Sequence, residues 1–523
     1  MKNLLRIASL FSILSISIAC EDYIDVEPIG PVSNNYFNKA EDYEKALIGA
    51  YDMLQTTFWS VLTASIASDD IIAGGDAANY DQPTLQDVDQ MIHTEETYVQ
   101  LREIWQLMYA GMNRANFVLE YKDKIDFEGK EEIIAQAYFL RAYYAFELAK
   151  FYGDIPLLTE DRSGLKRIAN RRVLYGDQNS VNRVGSIAEV YSLIEEDLKE
   201  AIPNLPVTQD LPYEVSKGAA QALLGKVYLY HATYDSDKFQ LAAEALEEVI
   251  NSGAYSLAEG TDFQNLWEEV GENGSGSVFE VQYTSVEGAG WGCIICSEGN
   301  YNPKFNAPRS PYNGTKYIAG WGFSIPTPML YESFEEGDMR RDLSILDLRS
   351  ETGYSESRAN TGFFNKKYIA TKENDASRNG SDPLNYTNNY RAIRYADVLL
   401  MAAEANAQIG DAKAEDYLNE VRARAFGDDS HNYKAEEGEL IQAIYDERRV
   451  ELSGEGHRFF DLVRTGKAKA AFDVFNTWVN TQAPEIGHEP INFIEDKNEI
   501  FPIPLVELEL ANAKERWGQN PGY

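Results

Sequence analysis

Apolar residues spaced three and four positions apart predict helices over much of the chain. The strongest pattern covers residues 131–152, where one apolar stripe consists of Ile133, Ala137, Leu140, Tyr144 and Leu148. A second face carries small and aromatic residues, so this helix is expected to pack between other helices. Similar patterns predict helices over 42–54 and 98–121, and a capping box at 186–189 predicts one that ends near residue 203.

An internal repeat indicates the type of scaffold. Residues 215–233 and 238–251 form one predicted helix pair, and residues 392–409 and 412–425 form a second. In each pair, two adjacent leucines precede the aspartate of the connecting turn at the same spacing. Ala-rich helix pairs of this kind are typical of tetratricopeptide-like repeats, which stack because one pair cannot bury its apolar face alone. The predicted fold is mainly α, a tetratricopeptide-like scaffold of helical pairs with a loop-rich insert that contains short strands.

The insert lies between the two helix pairs. Residues 254–390 are rich in Gly, Asn, Ser, Tyr and Trp, and residues 278–283 within them alternate in polarity and predict a strand. The aromatic content argues against disorder, and a long loop-rich segment on a rigid scaffold is usually functional. Residues 56–95 predict a second, earlier loop. The helical scaffold is then expected at 41–253 and again at 391–523.

The N-terminus predicts a targeting segment. A positively charged start precedes an apolar run at 7–19 that is too short to span a bilayer and has the form of a signal-peptide core. Cys20 follows directly after a small residue, which predicts a bacterial lipoprotein with a signal peptide at 1–19, lipid on Cys20 and a tether at 20–40. Ordinary secretion with cleavage nearby is the alternative.

The net charge of the chain limits the classes of partner that we expect it to bind. The 523 residues carry a formal net charge of −37, with a pI near 4.5. A chain this acidic repels phosphate backbones and anionic lipid surfaces, so nucleic acid is excluded as an expected partner. We expect membrane contact through the lipid anchor only.

Two further cysteines, Cys293 and Cys296, form a CxxC motif in a Gly-rich stretch. A zinc site would need a second pair of ligands, and no other cysteine or histidine lies nearby in the sequence. Two interpretations of Cys293 and Cys296 stay open: a disulfide that closes the loop, or two unreactive thiols. No metal site or cofactor is predicted. A structural calcium ion held by acids and loop carbonyls also stays open, although no EF-hand spacing is present.

The common catalytic signatures are absent from the sequence, which has no HExxH, P-loop or GxSxG motif. Asp69 and Asp70 form a pair of neighbouring carboxylates, but with 84 acidic residues such pairs are expected by chance. A glycosidase needs no local motif for its two carboxylates, so that class stays open. The expectation is nevertheless that the protein is not an enzyme.

Aromatic residues in loops are the best candidates for ligand contact, because Trp and Tyr rings stack on the apolar faces of sugars and also bind peptides. Tryptophans in or beside helical patterns are assigned instead to the core, namely Trp105, Trp267 and Trp478. The candidate ligand contacts of the insert and of the early loop, with nearby polar residues included, are Trp291, Trp321, Tyr301, Tyr312, Asp69, Asp70, Trp59, Asn79 and Tyr80.

Several stretches in a fixed order resemble the SusD/RagB family of outer-membrane nutrient-binding lipoproteins. Beginning at the lipidation site, these are CEDYIDVEP at 20–28, WGFSIPT at 321–327, FEEGDMRR at 334–341, RYADVLLMAAEA at 394–405, ERRVEL at 447–452 with its continuation to Arg464, FPIP at 501–504 and QNPGY at 519–523. The resemblance spans the mature chain. Acidic residues directly after Cys20 also resemble a surface-export signal of such lipoproteins.

The resemblance implies a non-enzymatic protein of the outer membrane that is anchored by lipid and faces the cell surface. It implies a glycan or oligosaccharide ligand and a SusC-like TonB-dependent transporter as the partner that receives it. A RagB-like branch that takes peptides is the alternative. Two rivals from other classes are a carboxylate-based glycoside hydrolase and a purely structural subunit of the transporter assembly.

The charged stretch at 441–467 first suggests an active site, because so many charges in a partly buried helix need partners. The upstream repeats and the family resemblance change this interpretation. They predict that Glu451, Arg458, Asp461 and Arg464 lock the final helices together.

Overall fold

The structure is a computed structural model that describes residues 36–96, 99–157, 182–290, 298–377, 379–481 and 484–523. It is mainly helical, which confirms the predicted class. The helices of the N-terminal part are α1 (Ala40–Asp52), α2 (Phe58–Ile66), α3 (Pro83–Asp89), α4 (Val99–Glu120), α5 (Lys130–Tyr152), α6 (Ile187–Ala201), α7 (Lys217–His231) and α8 (Lys238–Asn251).

Short helices dominate the insert and longer ones return after it. These are α9 (Gly260–Gln264), α10 (Asn302–Asn306), α11 (Pro328–Ser333), α12 (Met339–Ser344), α13 (Lys372–Ser377), α14 (Tyr395–Ile409), α15 (Lys413–Phe426), α16 (Leu440–Glu451), α17 (Arg458–Arg464), α18 (Ala468–Thr481), α19 (Leu505–Leu510) and α20 (Lys514–Trp517). Among the described residues, none of the helices has the length and apolar character needed to cross a membrane.

The two predicted helix pairs are present and stack on each other. Helices α7 and α8 form the first pair and α14 and α15 the second, and α8 packs against α14. The predicted bounds agree with the structure to within a few residues, because Asp235 and the Gly410–Asp411 pair mark the turns between the helices. Ser186 caps α6 through a hydrogen bond from the Glu189 N–H, as its sequence predicts.

Helix α5 packs between other helices, as its two apolar faces predict. Helix α4 lies along one side and α6 along another. Gly111 of α4 permits the close approach on the first side, since a Cβ there would lie 2.4 Å from the ring of Tyr144. All three tryptophans that were assigned to the core are buried, with Trp105 at 1% exposed.

In the part of the chain that the structure describes, six short strands form three antiparallel pairs. They are β1 (Ile71–Ala73), β2 (Ser277–Val281), β3 (Ser324–Pro326), β4 (Ile345–Asp347), β5 (Phe363–Asn365) and β6 (Tyr390–Arg394). Strand β2 confirms the alternating pattern and pairs with β6, while β4 pairs with β5. The pairing of β1 with β3, in which Ile72 opposes Ile325, joins the early segment to the insert.

The prediction of a loop over residues 56–95 is wrong, because this segment contains α2, β1 and α3. All nine residues of α2 are buried, so the helix has no polar face and therefore no amphipathic period for the sequence to reveal. The predictions that concern Cys20, Trp291, Cys293 and Cys296 lie outside the described residues.

Candidate functional site

The charged stretch of α16 to α17 is buried and binds side chains from distant parts of the chain. The carboxylate of Glu451 accepts hydrogen bonds from Arg394 (2.8 Å), Arg424 (2.8 Å) and Arg340 (3.1 Å). All four side chains are at most 4% exposed. Burial raises the pKa of Glu451, but the three guanidiniums outweigh it and hold that pKa well below its usual range.

A second cluster holds α17 to α14. Asp461 contacts both Arg448 (3.2 Å) and Arg464 (2.8 Å), and these arginines also bind Asp397 (2.8 Å) and Glu404 (2.5 Å) of α14. Burial opposes ionisation of Asp461, yet the two arginines lower its pKa to about 2. These contacts confirm that the charged stretch locks helices together.

Asp69 and Asp70 form ion pairs with arginines of the same charged stretch. Asp69 accepts two hydrogen bonds from Arg458, at 2.8 and 2.9 Å, and Asp70 is held by Arg449, whose Nη2 lies 2.5 Å from Oδ1. Asp69 is 2% exposed and Asp70 1%. Both candidate ligand contacts are therefore placed in the interior, with their carboxylates paired to arginines of α16 and α17.

Three loops meet on one side of the molecule, and we call this region the loop face: residues 74–82, 307–322 and 354–360. Beyond the β1–β3 pair, the Gly75 N–H donates to the Gly322 carbonyl at 2.8 Å. Isolated bridges join Asp76 to Ser357 and Arg309 to Gly320. The loop face thus combines the early segment with the insert.

Gly322 is required where the loops cross. Its φ is +64°, and a Cβ there would lie 2.2 Å from Ser357 Oγ. Any larger residue would push the second and third loops apart.

A cavity of about 710 Å³ opens at the loop face. Its walls are formed by residues 76–80 and 356–360, together with a third segment, 485–487, that follows α18. This volume lies in the range typical of small-ligand sites.

Tyr80 presents an aromatic ring to this cavity and is 42% exposed. Its hydroxyl donates to Asp87 Oδ1 at 2.7 Å, and the Arg358 guanidinium lies 5.0 Å from the ring centroid. Burial and the bond to Asp87 raise the pKa of Tyr80 above its usual range. The ring is therefore held in place from two directions while much of it stays open to solvent.

Trp321 is partly exposed and covers an edge-to-face aromatic cluster. The Trp321 ring lies 5.4 Å from that of Tyr301 and 4.9 Å from that of Phe305, both at 79°. Trp59 of α2 packs on the inner side of the same cluster, 5.7 Å from Tyr301. Tyr301 and Trp59 are only 8% and 7% exposed, so these two candidates lie in the interior of the aromatic cluster that Trp321 covers.

Arg309 connects this cluster to the cavity wall. Its Nη2 lies 2.5 Å from Asp76 Oδ2, and its Nη1 donates to the Trp321 carbonyl at 3.3 Å. Arg309 therefore links the backbone of Trp321 to the cavity wall at Asp76.

The remaining candidates divide between the cavity and its surroundings. Asn79 is exposed and lines the cavity. Tyr312 is half-buried and forms a backbone bridge with Tyr354 beside the third loop. Trp291 lies outside the described residues.

The sequence did not point to several groups of the cavity. Arg358 and Asn360 come from the insert, and Glu485 follows a scaffold helix. No local motif marks them. Among residues 36–523, leaving aside the short undescribed stretches, no three His, Cys, Asp or Glu side chains form a group that could hold a metal ion.

Comparisons with known proteins agree with this architecture. Residues 344–523 match a family model described as "SusD family", and residues 22–229 match one described as "Starch-binding associating with outer membrane". A solved "Laminarin binding SusD-like protein" is 33% identical, with a TM-score of 0.77, and the match covers 93% of this chain and 100% of that one. The chain belongs to the SusD/RagB family.

Other SusD-like proteins extend the comparison. Surface glycan-binding protein A from Bacteroides thetaiotaomicron, solved in complex with laminarihexaose, is 26% identical with a TM-score of 0.78, and the match covers 92% of this SusD family member and 99% of that chain. SusD-like protein P2 from Formosa agariphila is 29% identical, over 97% of both chains. The family assignment therefore applies to nearly the whole length.

Proposed function

We propose that the protein binds glycans at the loop face and delivers them to a SusC-like TonB-dependent transporter. The observation that carries the first part is Tyr80, an exposed ring held rigidly at a cavity of about 710 Å³. Trp321 of the loop face offers a second, partly exposed ring, and Asn79 and Asn360 of the cavity lining supply amides for sugar hydroxyls. The similar proteins named for laminarin and laminarihexaose support a glycan as the ligand.

Isothermal titration against a panel of oligosaccharides tests glycan binding. Replacing Tyr80 or Trp321 with alanine should weaken binding of the best ligand at least about tenfold, because stacking contact is lost. Tyr234 is 57% exposed on the scaffold and does not line the cavity, so Tyr234→Ala is the matched control and should leave affinity unchanged. Trp291→Ala tests the candidate outside the described residues.

The rival functions predict different outcomes. Binding of peptides without any glycan would favour a RagB-like role. Release of sugars from a polysaccharide by the purified protein would favour a hydrolase. The buried pairing of Asp69 and Asp70 with arginines supports a non-enzymatic role for this carboxylate pair.

Outer-membrane anchoring at the cell surface completes the proposal. The family model named for association with the outer membrane supports this location. Radiolabelled palmitate should be incorporated into the wild-type protein and not into a Cys20→Ser variant. The native protein should co-purify with a TonB-dependent barrel from detergent extracts, and its absence from such a complex would contradict the delivery step.

A further inference from the structure

We infer that the loop-face cavity selects uncharged glycans and rejects chains that carry uronate or sulfate groups. This inference rests on the proposed function and concerns the same site. It follows from the formal charges of the cavity walls and from the contacts that already engage the nearby cations.

The walls carry more negative than positive groups. Among the described residues, three carboxylates line the cavity, from Asp76, Glu356 and Glu485, and one guanidinium, from Arg358. Asp76 is paired with Arg309 just outside the lining, so Glu356 and Glu485 against Arg358 leave a formal excess of one negative charge. Glu356 and Glu485 both line the cavity and are exposed, so their charges act on a ligand that enters.

The cations at the cavity are already engaged by the protein. Arg309 pairs with Asp76 at 2.5 Å and lies 3.7 Å from Asp81. Arg358 lies over the Tyr80 ring, 5.0 Å from its centroid. An anionic sugar that recruited either arginine would have to displace one of these contacts and would still meet the remaining carboxylates.

The other groups at the cavity suit a neutral sugar. The exposed ring of Tyr80 can stack on the apolar face of a pyranose. Asn360 donates one amide proton to the Tyr354 hydroxyl, and Asn79 bonds Asp76, so each amide retains a second proton that can bond a sugar hydroxyl. None of these contacts needs a charge on the ligand.

The charge of the whole chain acts in the same direction. At a formal net charge of −37, the protein repels a polyanion before contact, and the repulsion is strongest at low salt because the Debye length is then long. Binding of a neutral glycan should be nearly independent of salt. Residual binding of an anionic glycan should strengthen as salt rises.

Calorimetry of three chains of equal length tests the inference, namely laminarihexaose, an alginate hexamer and a sulfated galactan hexamer, at low and at physiological ionic strength. We expect a neutral oligosaccharide to bind best at both. An anionic hexamer that binds as tightly as any neutral one, with affinity that falls as salt rises, would overturn the charge selection while the glycan-binding function stands. Absence of binding to every glycan overturns both.

A charge-removal variant sharpens the test. In the double variant Glu356→Gln and Glu485→Gln, the affinity for the alginate hexamer relative to the neutral hexamer should rise about tenfold at low salt, because two like charges near the ligand are removed. The matched control is the double variant Glu128→Gln and Glu131→Gln. These two acids are exposed, lie at or just before the start of α5 and do not line the cavity. The same rise in the control would assign the effect to net charge and contradict selection by the cavity.

Discussion

Replacing Arg458 with methionine should destabilise the fold by about 3 kcal/mol and leave glycan affinity per folded molecule unchanged. Arg458 donates two hydrogen bonds to Asp69, at 2.8 and 2.9 Å. Methionine keeps most of the apolar stem, so the loss reports mainly on the guanidinium. The nearest remaining cation, Arg449, lies 3.7 Å from Asp69, too far for a hydrogen bond.

The magnitude follows from the burial of the acid. Asp69 is 2% exposed, and breaking a buried ion pair from one side typically costs about 3–5 kcal/mol. The lower end applies because the Arg458 side chain is 18% exposed, so water can reach part of the space it leaves. Burial raises the pKa of Asp69, but Arg458 outweighs it and the net shift is downward. The Arg458–Asp69 ion pair therefore stabilises the fold at pH values above about 4, the pKa of an aspartate in the unfolded chain. The difference in the free energy of unfolding between the variant and the wild type should shrink as pH falls below that value.

Urea unfolding followed by tryptophan fluorescence, with calorimetry of ligand binding, measures both quantities. Arg349→Met is the matched control. Arg349 makes the same two-bond contact with Asp347, at 3.0 and 2.8 Å, but its side chain is 51% exposed, so its loss should cost less than about 1 kcal/mol. Equal effects of the two variants would refute the reasoning from burial. A stable Arg458 variant that no longer binds glycan would return this stretch to the functional site.

Three further predictions concern single buried contacts. Burial raises the pKa of the Glu103 carboxyl to about 7, so the folded state loses stability as pH rises from about 4.5 to 7. In thermal melts, the Glu103→Gln variant should be more stable than wild type by up to about 3 kcal/mol at pH 8 and equally stable at pH 4. His488 bonds Asp89 at 2.9 Å, and although burial lowers its pKa, Asp89 raises it above the usual value overall. This pair should stabilise the protein below about pH 6.5 and lose its effect at higher pH, so melting curves of Asp89→Asn should lack that loss. Gly322→Ala should lower both the melting temperature and glycan affinity, and an unchanged affinity would mean that the loop crossing at Ser357 does not shape the site.

The helix pairs could be predicted from the sequence because their second helices, α8 and α15, each bury one face only and because the spacing from the two leucines to the aspartate of the turn repeats between the pairs. Helix α2 could not, since its nine residues are all buried and leave no polar positions to set a period. The strand at 278–283 was visible from its alternation, but its partner β6 lies more than a hundred residues later. Local patterns therefore gave the elements, while their pairing depends on contacts between distant segments.

The candidate site shows the same division. Tyr80 and Asn79 were recognised as ring and amide in an early loop, and both line the cavity. Asp69 was a candidate ligand contact in the sequence because its structural partner, Arg458, is 389 residues away. Glu485 was missed for a related reason, since it follows an ordinary amphipathic helix and reaches the cavity only through the packing of α18.

Helix α4 sets the distance between Phe37 and the edge of the loop face. In its last turn the ring of Phe117 packs 4.9 Å from that of Phe37, near the start of the described chain, while the N–H of its first residue, Val99, donates to Thr84 Oγ1 next to the loop face. Its 22 residues measure roughly 33 Å at 1.5 Å each. Helix α4 therefore acts as a strut of fixed length between Phe37 and the edge of the loop face, and the chain N-terminal to Phe37 departs from the opposite end of this helix.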